Sequence, residues 1–385
     1  MMRFKVFFLS IFWVFFLNTI LCAQDSLNQV NIRIHSTKKI HSFYIKSKST
    51  IHVFADSEYV SVLDSVQCSF INPNKFKIST LQGTLIVQQA QFKSDSALAL
   101  CLNEFGKKYR FYDGYIKCSV LIDSLQLINV IPMESYISGV TEAEGGRRCH
   151  YEFYKVQSVL ARTYLLRHWF KHKRQNFQLC DQEHCQVYHG KPRNGLVNKA
   201  VAYTQGQIIV DSSDQLIVAA FHSNSGGQTA NSEWVWGGKT SYLKAVSDSF
   251  SMHMPNSNWQ KKIKKNDWYQ YLKSVYGIVF SADIYQIVNN LKMPTRQSDF
   301  IVNNTPISSK RIRTDFKLKS AFFSIMPLGN DDLLFYGRGF GHGVGLSQEG
   351  AMCMAKQGLN YKTILHHYFQ NVKIMPLQHY HITKP

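Results

Sequence analysis

Acidic side chains are scarce in this 385-residue chain: 25 Asp and Glu stand against 44 Lys and Arg, a formal net charge of +19. That imbalance points to an anionic partner, or simply to a well-solvated surface. Long apolar runs are also missing after the N-terminus, so nothing beyond it spans a bilayer. Several catalytic signatures are absent. The glycine-rich run GRGFGHGVGLSQEGA, Gly337 to Ala351, contains no G-x-G-x-x-G and no P-loop lysine. No H-E-x-x-H occurs, and Ser225-Gly226-Gly227 lacks the G-x-S-x-G context of a hydrolase serine. Cysteine is too sparse for a disulfide framework, with eight in the whole chain. Internal repeats and low-complexity tracts are lacking too.

What is present is organised. Arg3 and Lys5 precede an apolar stretch from Val6 to Leu17, and Leu21-Cys22-Ala23 follows as a cleavage site. Residues 1–23 therefore read as a secretory signal peptide, which places the mature protein in the periplasm or cell envelope. A lipidated Cys22 is the weaker alternative. Export argues against nucleic acid as the anionic partner and in favour of envelope polymers. Removing Cys22 leaves seven cysteines, an odd number that cannot all pair within one chain.

Residues 24–130 alternate apolar and polar side chains in short runs broken by Asn, Pro, Gly and Ser, which predicts a β-rich N-terminal domain. Residues 131–385 change texture. A helix is expected over Tyr151 to His172, strands over Gln207 to Val210 and Leu216 to His222, and two amphipathic helices between Trp259 and Leu291. Strands are expected again at Arg311 to Phe316 and Ala321 to Ile325. Helices should close the chain at Gln348 to Gln357 and Tyr361 to Phe369. The fold class is α+β.

The alternating glycines must serve the backbone, since glycine costs entropy and packs nothing. They could line a binding groove, or they could let another segment pack close. Cys180 and Cys185, with His184 between them and His172 nearby, form a compact soft-ligand set. A structural Cys₂His₂ zinc site and a Cys180–Cys185 disulfide both remain open. Catalysis itself needs no cofactor on this reading.

Six pieces, in order, carry a resemblance. They are Tyr136-Ile-Ser-Gly-Val140 with Glu144 behind it, then Lys155-Val-Gln-Ser-Val-Leu-Ala-Arg162-Thr-Tyr164 and Cys185-Gln-Val-Tyr188-His-Gly190. Ser225-Gly-Gly227 with Trp234-Val-Trp236-Gly-Gly238, Tyr242-Leu-Lys-Ala-Val246, and the glycine run ending in Leu346-Ser-Gln348-Glu-Gly-Ala351 complete the set. The stretch from about residue 131 to 369 resembles the SpoIID/LytB family, the stage II sporulation protein D and amidase-enhancer group. The resemblance implies a peptidoglycan lytic transglycosylase acting on peptide-stripped glycan strands and leaving anhydro-muramic ends. Glu144 would be the general acid/base. Lys155, Arg162, Tyr188, Ser225, Gly226, His342 and Gln348 would meet the glycan. The family name also keeps open a non-catalytic wall-binding protein that enhances or positions an N-acetylmuramoyl-alanine amidase.

One carboxyl suffices for this chemistry. The sugar's own 6-hydroxyl attacks the anomeric carbon, so the acid that protonates the leaving oxygen can afterwards accept the hydroxyl proton. To be protonated near neutrality Glu144 needs a raised pKa. Where relatives carry Met and often Pro after the glutamate, this chain has Gly145-Gly146, and Glu142 lies only two residues away as a rival. A zinc-dependent hydrolase is the poorest reading.

Overall fold

The computed structural model describes residues 28–102 and 108–380. The expected signal peptide, residues 1–23, lies outside the described residues. Among those described, no helix is long and apolar enough to cross a membrane. Two compact units divide the chain. The first comprises residues 1–147 and 165–205, and the second comprises residues 148–164 and 206–385. The chain thus leaves the first unit and re-enters it, and the α+β class holds.

The first unit is built on two sheets. Seven strands run in the order Leu179–Cys180, Gln29–Ile34, Leu125–Pro132, Tyr115–Val120, Gln89–Lys93, Ile51–Ala55 and Glu58–Val62. Six more run Arg110–Tyr112, Leu98–Leu102, Ser42–Lys46, Ser65–Asn72, Lys75–Thr80 and Gly83–Val87. Period-two burial follows the alternation in the sequence: Val30, Ile32 and Ile34 are buried on one strand, Phe43 and Ile45 on another. Phe43 of the six-stranded sheet meets Phe92 of the seven-stranded sheet edge to face, with centroids 6.0 Å apart. Most neighbouring strands pair antiparallel. The short strand Leu179–Cys180 pairs parallel with Gln29–Ile34, placing Ile32 opposite Leu179.

Helix α1 (Met133–Gly145) follows the last long strand directly, with Pro132 at its N-cap. Helix α2 (Tyr151–Arg167) starts in the second unit and ends in the first. It stops at Arg167, five residues short of the expected His172. Helix α3 (Gly195–Tyr203), capped by the Asn194 side chain on the Leu196 N–H at 2.9 Å, packs on α1 in the first unit.

In the second unit Gln207–Val210 is a strand, as expected, paired with Lys373–Pro376. The second expected strand shrinks to Phe221–His222, which pairs parallel with Leu346–Ser347. Helix α4 (Ser232–Trp236) follows. Residues 258–338 then form an apolar centre of their own around Trp268, Phe323 and Phe335. It contains the strands Asn258–Lys264, Asp332–Arg338 and Phe323–Leu328, and helices α5 (Lys265–Tyr276), α6 (Ala282–Asn289) and α7 (Ser309–Asp315). Two expectations are corrected here. Asn258–Lys264, expected to begin a helix at Trp259, is a strand. Arg311 to Phe316, expected as a strand, lies in and just after α7. A segment with Ile312 as its one buried large apolar side chain has no period to read, and the Ser308 hydroxyl caps the Arg311 N–H at 3.3 Å to start a helix. Helices α8 (Gln348–Lys356), capped by Ser347, and α9 (Tyr361–Tyr368), capped by Asn360, close the unit where the sequence placed them.

Candidate functional site

In the first unit, Glu142 and Glu144 leave the last turn of α1 in different settings. Glu142 is almost wholly buried and fully occupied. Its Oε2 accepts the backbone N–H groups of Arg193 (2.9 Å) and Asn194 (2.7 Å), and Oε1 faces Arg147 Nε at 3.3 Å. It fixes the chain leading into α3. Glu144 is half-buried, and its Oε1 accepts the Val187 N–H at 2.7 Å. Burial raises its pKa from 4.5 to about 6, against the lowering effect of the Val187 bond and with a small push from Glu183. Gly146 ends the helix with φ of 82°, and nothing lies within 4 Å of where a Cβ would be. Glycine stands there for its backbone conformation rather than for space.

Val187 belongs to a loop that the soft-ligand set organises. His172, Cys180, His184 and Cys185 each offer a donor atom, all within 4.8 Å of one another. His184 Nε2 lies 3.3 Å from Cys180 Sγ, and His172 Nε2 lies 3.4 Å from Cys185 Sγ. A tetrahedral zinc ion, with bonds of about 2.3 Å to sulfur and about 2.1 Å to nitrogen, would set such S···N pairs about 3.6 Å apart. The donor set therefore fits that ion, with two thiols and two imidazoles and no fifth member in the group among the described residues. Both cysteines are unbridged thiols. A hydrogen bond between them holds Cys180 low and pushes Cys185 up, so the pair shares one proton. Asp181 pins the loop from the other side. Its carboxylate accepts the His35 N–H (2.7 Å), the Ser36 N–H (3.1 Å) and the Ser36 hydroxyl (2.6 Å).

Tyr188, expected to stack on a sugar, is completely buried. Its hydroxyl donates to Asn129 Oδ1 at 2.8 Å and its ring packs on Tyr136 at 5.1 Å. A Cβ on Gly139 would come within 2.5 Å of that ring, which explains the glycine in the Tyr136–Val140 piece. Tyr188 thus supports Glu144's loop from beneath instead of meeting a ligand. That correction has a plain cause: a tyrosine with a buried partner for its hydroxyl loses nothing by full burial.

In the second unit, Arg162 is likewise buried, donating to the Gln207 carbonyl at 2.9 Å, so it ties α2 to a strand and reaches no solvent. Lys155 is nearly buried and bonded to Glu152 at 2.6 Å, and Glu152 Oε2 accepts the Tyr361 N–H at 2.8 Å. Gln348 is half-buried beside Gln157, 3.5 Å away.

Ser225 and Gly226 lie under the glycine run. The Ser225 hydroxyl donates to Asp248 Oδ2 at 2.7 Å and the Tyr368 hydroxyl to Asp248 Oδ1 at 3.0 Å. Ser225 is therefore spent on shape and not on nucleophilic attack. Glu349 accepts Asn224 Nδ2 (2.6 Å) and Asn256 Nδ2 (2.7 Å) alongside. Buried Arg296 donates to the Ser225 carbonyl at 2.7 Å and the Gln228 carbonyl at 2.9 Å. Asp248, Glu349 and Arg296 were not foreseen. Glu349 sits inside the Leu346–Ala351 piece, whereas Asp248 and Arg296 carry no motif and only their burial betrays them.

Gly339, Gly341, Gly343 and Gly345 all have positive φ, from 70° to 110°. A Cβ at Gly339 would come within 2.5 Å of the Asn224 carbonyl oxygen, and one at Gly345 within 2.3 Å of the Ala220 carbonyl oxygen. The run is irregular backbone laid against residues 220–226 and not one face of a strand. His342 accepts the Val344 N–H through Nδ1 at 3.0 Å, and its ring lies 5.4 Å from Trp236 and 5.5 Å from His222. Burial lowers its pKa to about 4. It is a neutral, packed histidine at physiological pH.

The family model described as stage II sporulation protein matches residues 122–210, which hold Glu144, Val187 and the four soft ligands. Stage II sporulation protein D of Bacillus subtilis (strain 168) is 30% identical over 268 residues, covering 65% of this chain and 76% of that protein. Its counterpart in Bacillus amyloliquefaciens is 30% identical over 63% and 74% of the two chains. The amidase enhancer of Bacillus subtilis is 25% identical over 60% of this chain and 39% of its own length. The chain belongs to the SpoIID family.

Proposed function

We propose that this protein works on the bacterial cell wall as an exported peptidoglycan lytic transglycosylase, with Glu144 as its single acid and base. The observation that carries the reading is a half-buried carboxyl whose pKa is raised to about 6 and whose Oε1 accepts the Val187 N–H. Protonated Glu144 gives its proton to the glycosidic oxygen as the bond to the anomeric carbon breaks. The carboxylate left behind then accepts the proton of the muramyl 6-hydroxyl as that oxygen closes the anhydro ring. The proton count balances without water, and no second carboxylate is required. Glu142, saturated by two N–H groups and Arg147, is not the acid.

His172, Cys180, His184 and Cys185 would hold a structural zinc ion. Four protein donors close a tetrahedral site, so the ion would supply rigidity to the loop and no open coordination position. The residues' share of that task is to keep the Val187 N–H where Glu144 needs it, since Cys185 is two positions away. Substrate contact falls to the exposed backbone at Gly146, two residues beyond Glu144. An amidase that strips stem peptides is the expected working partner, a link suggested by the relative named amidase enhancer.

The test is direct. Sacculi, with and without amidase treatment, are incubated with the mature protein and searched by mass spectrometry for anhydro-muramic ends. Ends that vanish in Glu144→Gln support the reading. Retained binding to sacculi with no ends on either substrate would replace it with the non-catalytic enhancer.

A further inference from the structure

We propose that the first unit carries a second glycan-binding surface, on the open face of its seven-stranded sheet. The pairing registers place two rows of side chains on one face. One row crosses Ser61, His52, Lys93 and Tyr115, and the next crosses Tyr59, Phe54, Gln91 and Lys117. The opposite face holds Val53, Phe92, Ile116 and Cys118, all buried, so these rows point outward. Outward-facing aromatic side chains need a reason, because alternation would normally put polar groups there.

Phe54 is 42% and Tyr59 55% exposed, and they pack on each other at 5.1 Å while His52 stacks on Tyr59 at 6.1 Å. Lys93 stands between Phe54 and Tyr115, with its ammonium 5.2 Å from one ring centroid and 4.8 Å from the other. Lys117 lies 5.7 Å from Tyr115. On the next strand the rows end at Ile128 and Val130, both buried, so the open area spans four strands or roughly 14 Å.

The chemistry of this face selects its occupant. Flat aromatic rings suit the apolar face of a pyranose, and Lys93 and Lys117 suit a carboxylate carried at intervals along a strand. None of the eight side chains in the two rows is acidic. A glycan whose lactyl carboxylates have been freed of peptide offers both features together. The identity of that strand rests on the cell-wall reading above, whereas the face itself is remote in sequence from Glu144 and absent from the stretch that the family model matches.

Binding is measured in the Glu144→Gln background, so that strands persist, using soluble peptide-free glycan strands as the probe. The same strands with amidated carboxylates, neutral chitin oligosaccharides and oligo-dT serve as comparison ligands. Phe54→Ala with Tyr59→Ala should weaken the first ligand about tenfold or more, without lowering the melting temperature. Lys93→Glu with Lys117→Glu should do the same for the charged strands and leave the amidated ones little changed. Equal binding by parent and variants overturns the proposal. So does tighter binding of oligo-dT that the same substitutions abolish, which would make the face a single-stranded nucleic-acid surface. Anhydro ends are scored separately with Glu144 intact. Their absence alongside variant-sensitive binding would refute the enzyme and leave this surface standing.

Discussion

Two carboxylates two positions apart take different work because Glu142 is buried under two backbone N–H groups and a guanidinium, whereas Glu144 is half-buried and accepts the Val187 N–H. Glu142 answers two N–H groups and a guanidinium, so Glu142→Gln should cost about 1–3 kcal/mol of stability, read as a lowered denaturation midpoint. The protein that still folds should keep cutting. Glu144→Gln should reverse both outcomes. Its raised pKa means that the folded state holds the proton more tightly than the unfolded chain, for which 4.5 applies. The associated stabilisation is complete below pH 4.5 and lost as pH rises through about 6. Above that range the buried charge costs about 1–2 kcal/mol, part of the full shift because the side chain is partly solvated. The Gln variant should therefore be more stable than wild type at pH 8 in urea titrations, equal to it near pH 4, and inactive at both. For the wild type, cleavage should fall about tenfold per unit above pH 6, since only the protonated acid can act.

At the scale of an element, the glycine run gives a sharper expectation than its sequence did. Five alternating glycines signalled that the backbone was needed, but whether they served a ligand or a packed segment depended on contacts at long sequence distance. Gly339 combines φ of 78° with a carbonyl oxygen 2.5 Å from its absent Cβ, whereas Gly329 has φ of 67° and open space. Gly329→Ala should cost about 1 kcal/mol from conformation alone. Gly339→Ala adds a backbone clash and should cost about 3 kcal/mol or more, visible as a larger drop in melting temperature. Equal losses at the two positions would contradict the packing role. The same distinction explains what was legible. The alternating β-rich pattern up to residue 130, helices capped by Ser347 and Asn360, and the C-x₄-C spacing are local signals, and all were readable, whereas the two-residue strand Leu179–Cys180 was not. The fate of Tyr188, Arg162 and Ser225 was decided by partners 59, 45 and 23 positions away, Asn129, Gln207 and Asp248. No local pattern encodes that. Residues 311–316 misled because one isoleucine cannot distinguish a period of two from one of 3.6.

For the whole molecule, the decisive feature is that the first unit is discontinuous. Composition changes near residue 130, and a domain border there looks natural in the sequence. Yet Gln29–Ile34 pairs antiparallel with Leu125–Pro132 on one side and parallel with Leu179–Cys180 on the other. The second of those pairings carries Cys180, and Asp181 next to it closes on His35 and Ser36. A chain cut to residues 131–385 would keep Glu144 and all four soft ligands but lose the strand that seats Leu179 and Cys180. It would also lose Asn129, the partner of the Tyr188 hydroxyl. Such a truncation should show no cooperative melt for the 165–205 segment in hydrogen exchange, and it should bind zinc at least tenfold more weakly than the mature chain, a difference of about 1.4 kcal/mol. The mature chain itself should carry one zinc per molecule by elemental analysis and seven reactive thiols when denatured with chelator, since all seven described cysteines are unbridged. Two fewer thiols and no metal would restore the disulfide. A truncated chain that melts cooperatively and binds zinc as tightly as the whole would show that the β-rich region is an appendage, and that the ligand loop stands without the strand beside it.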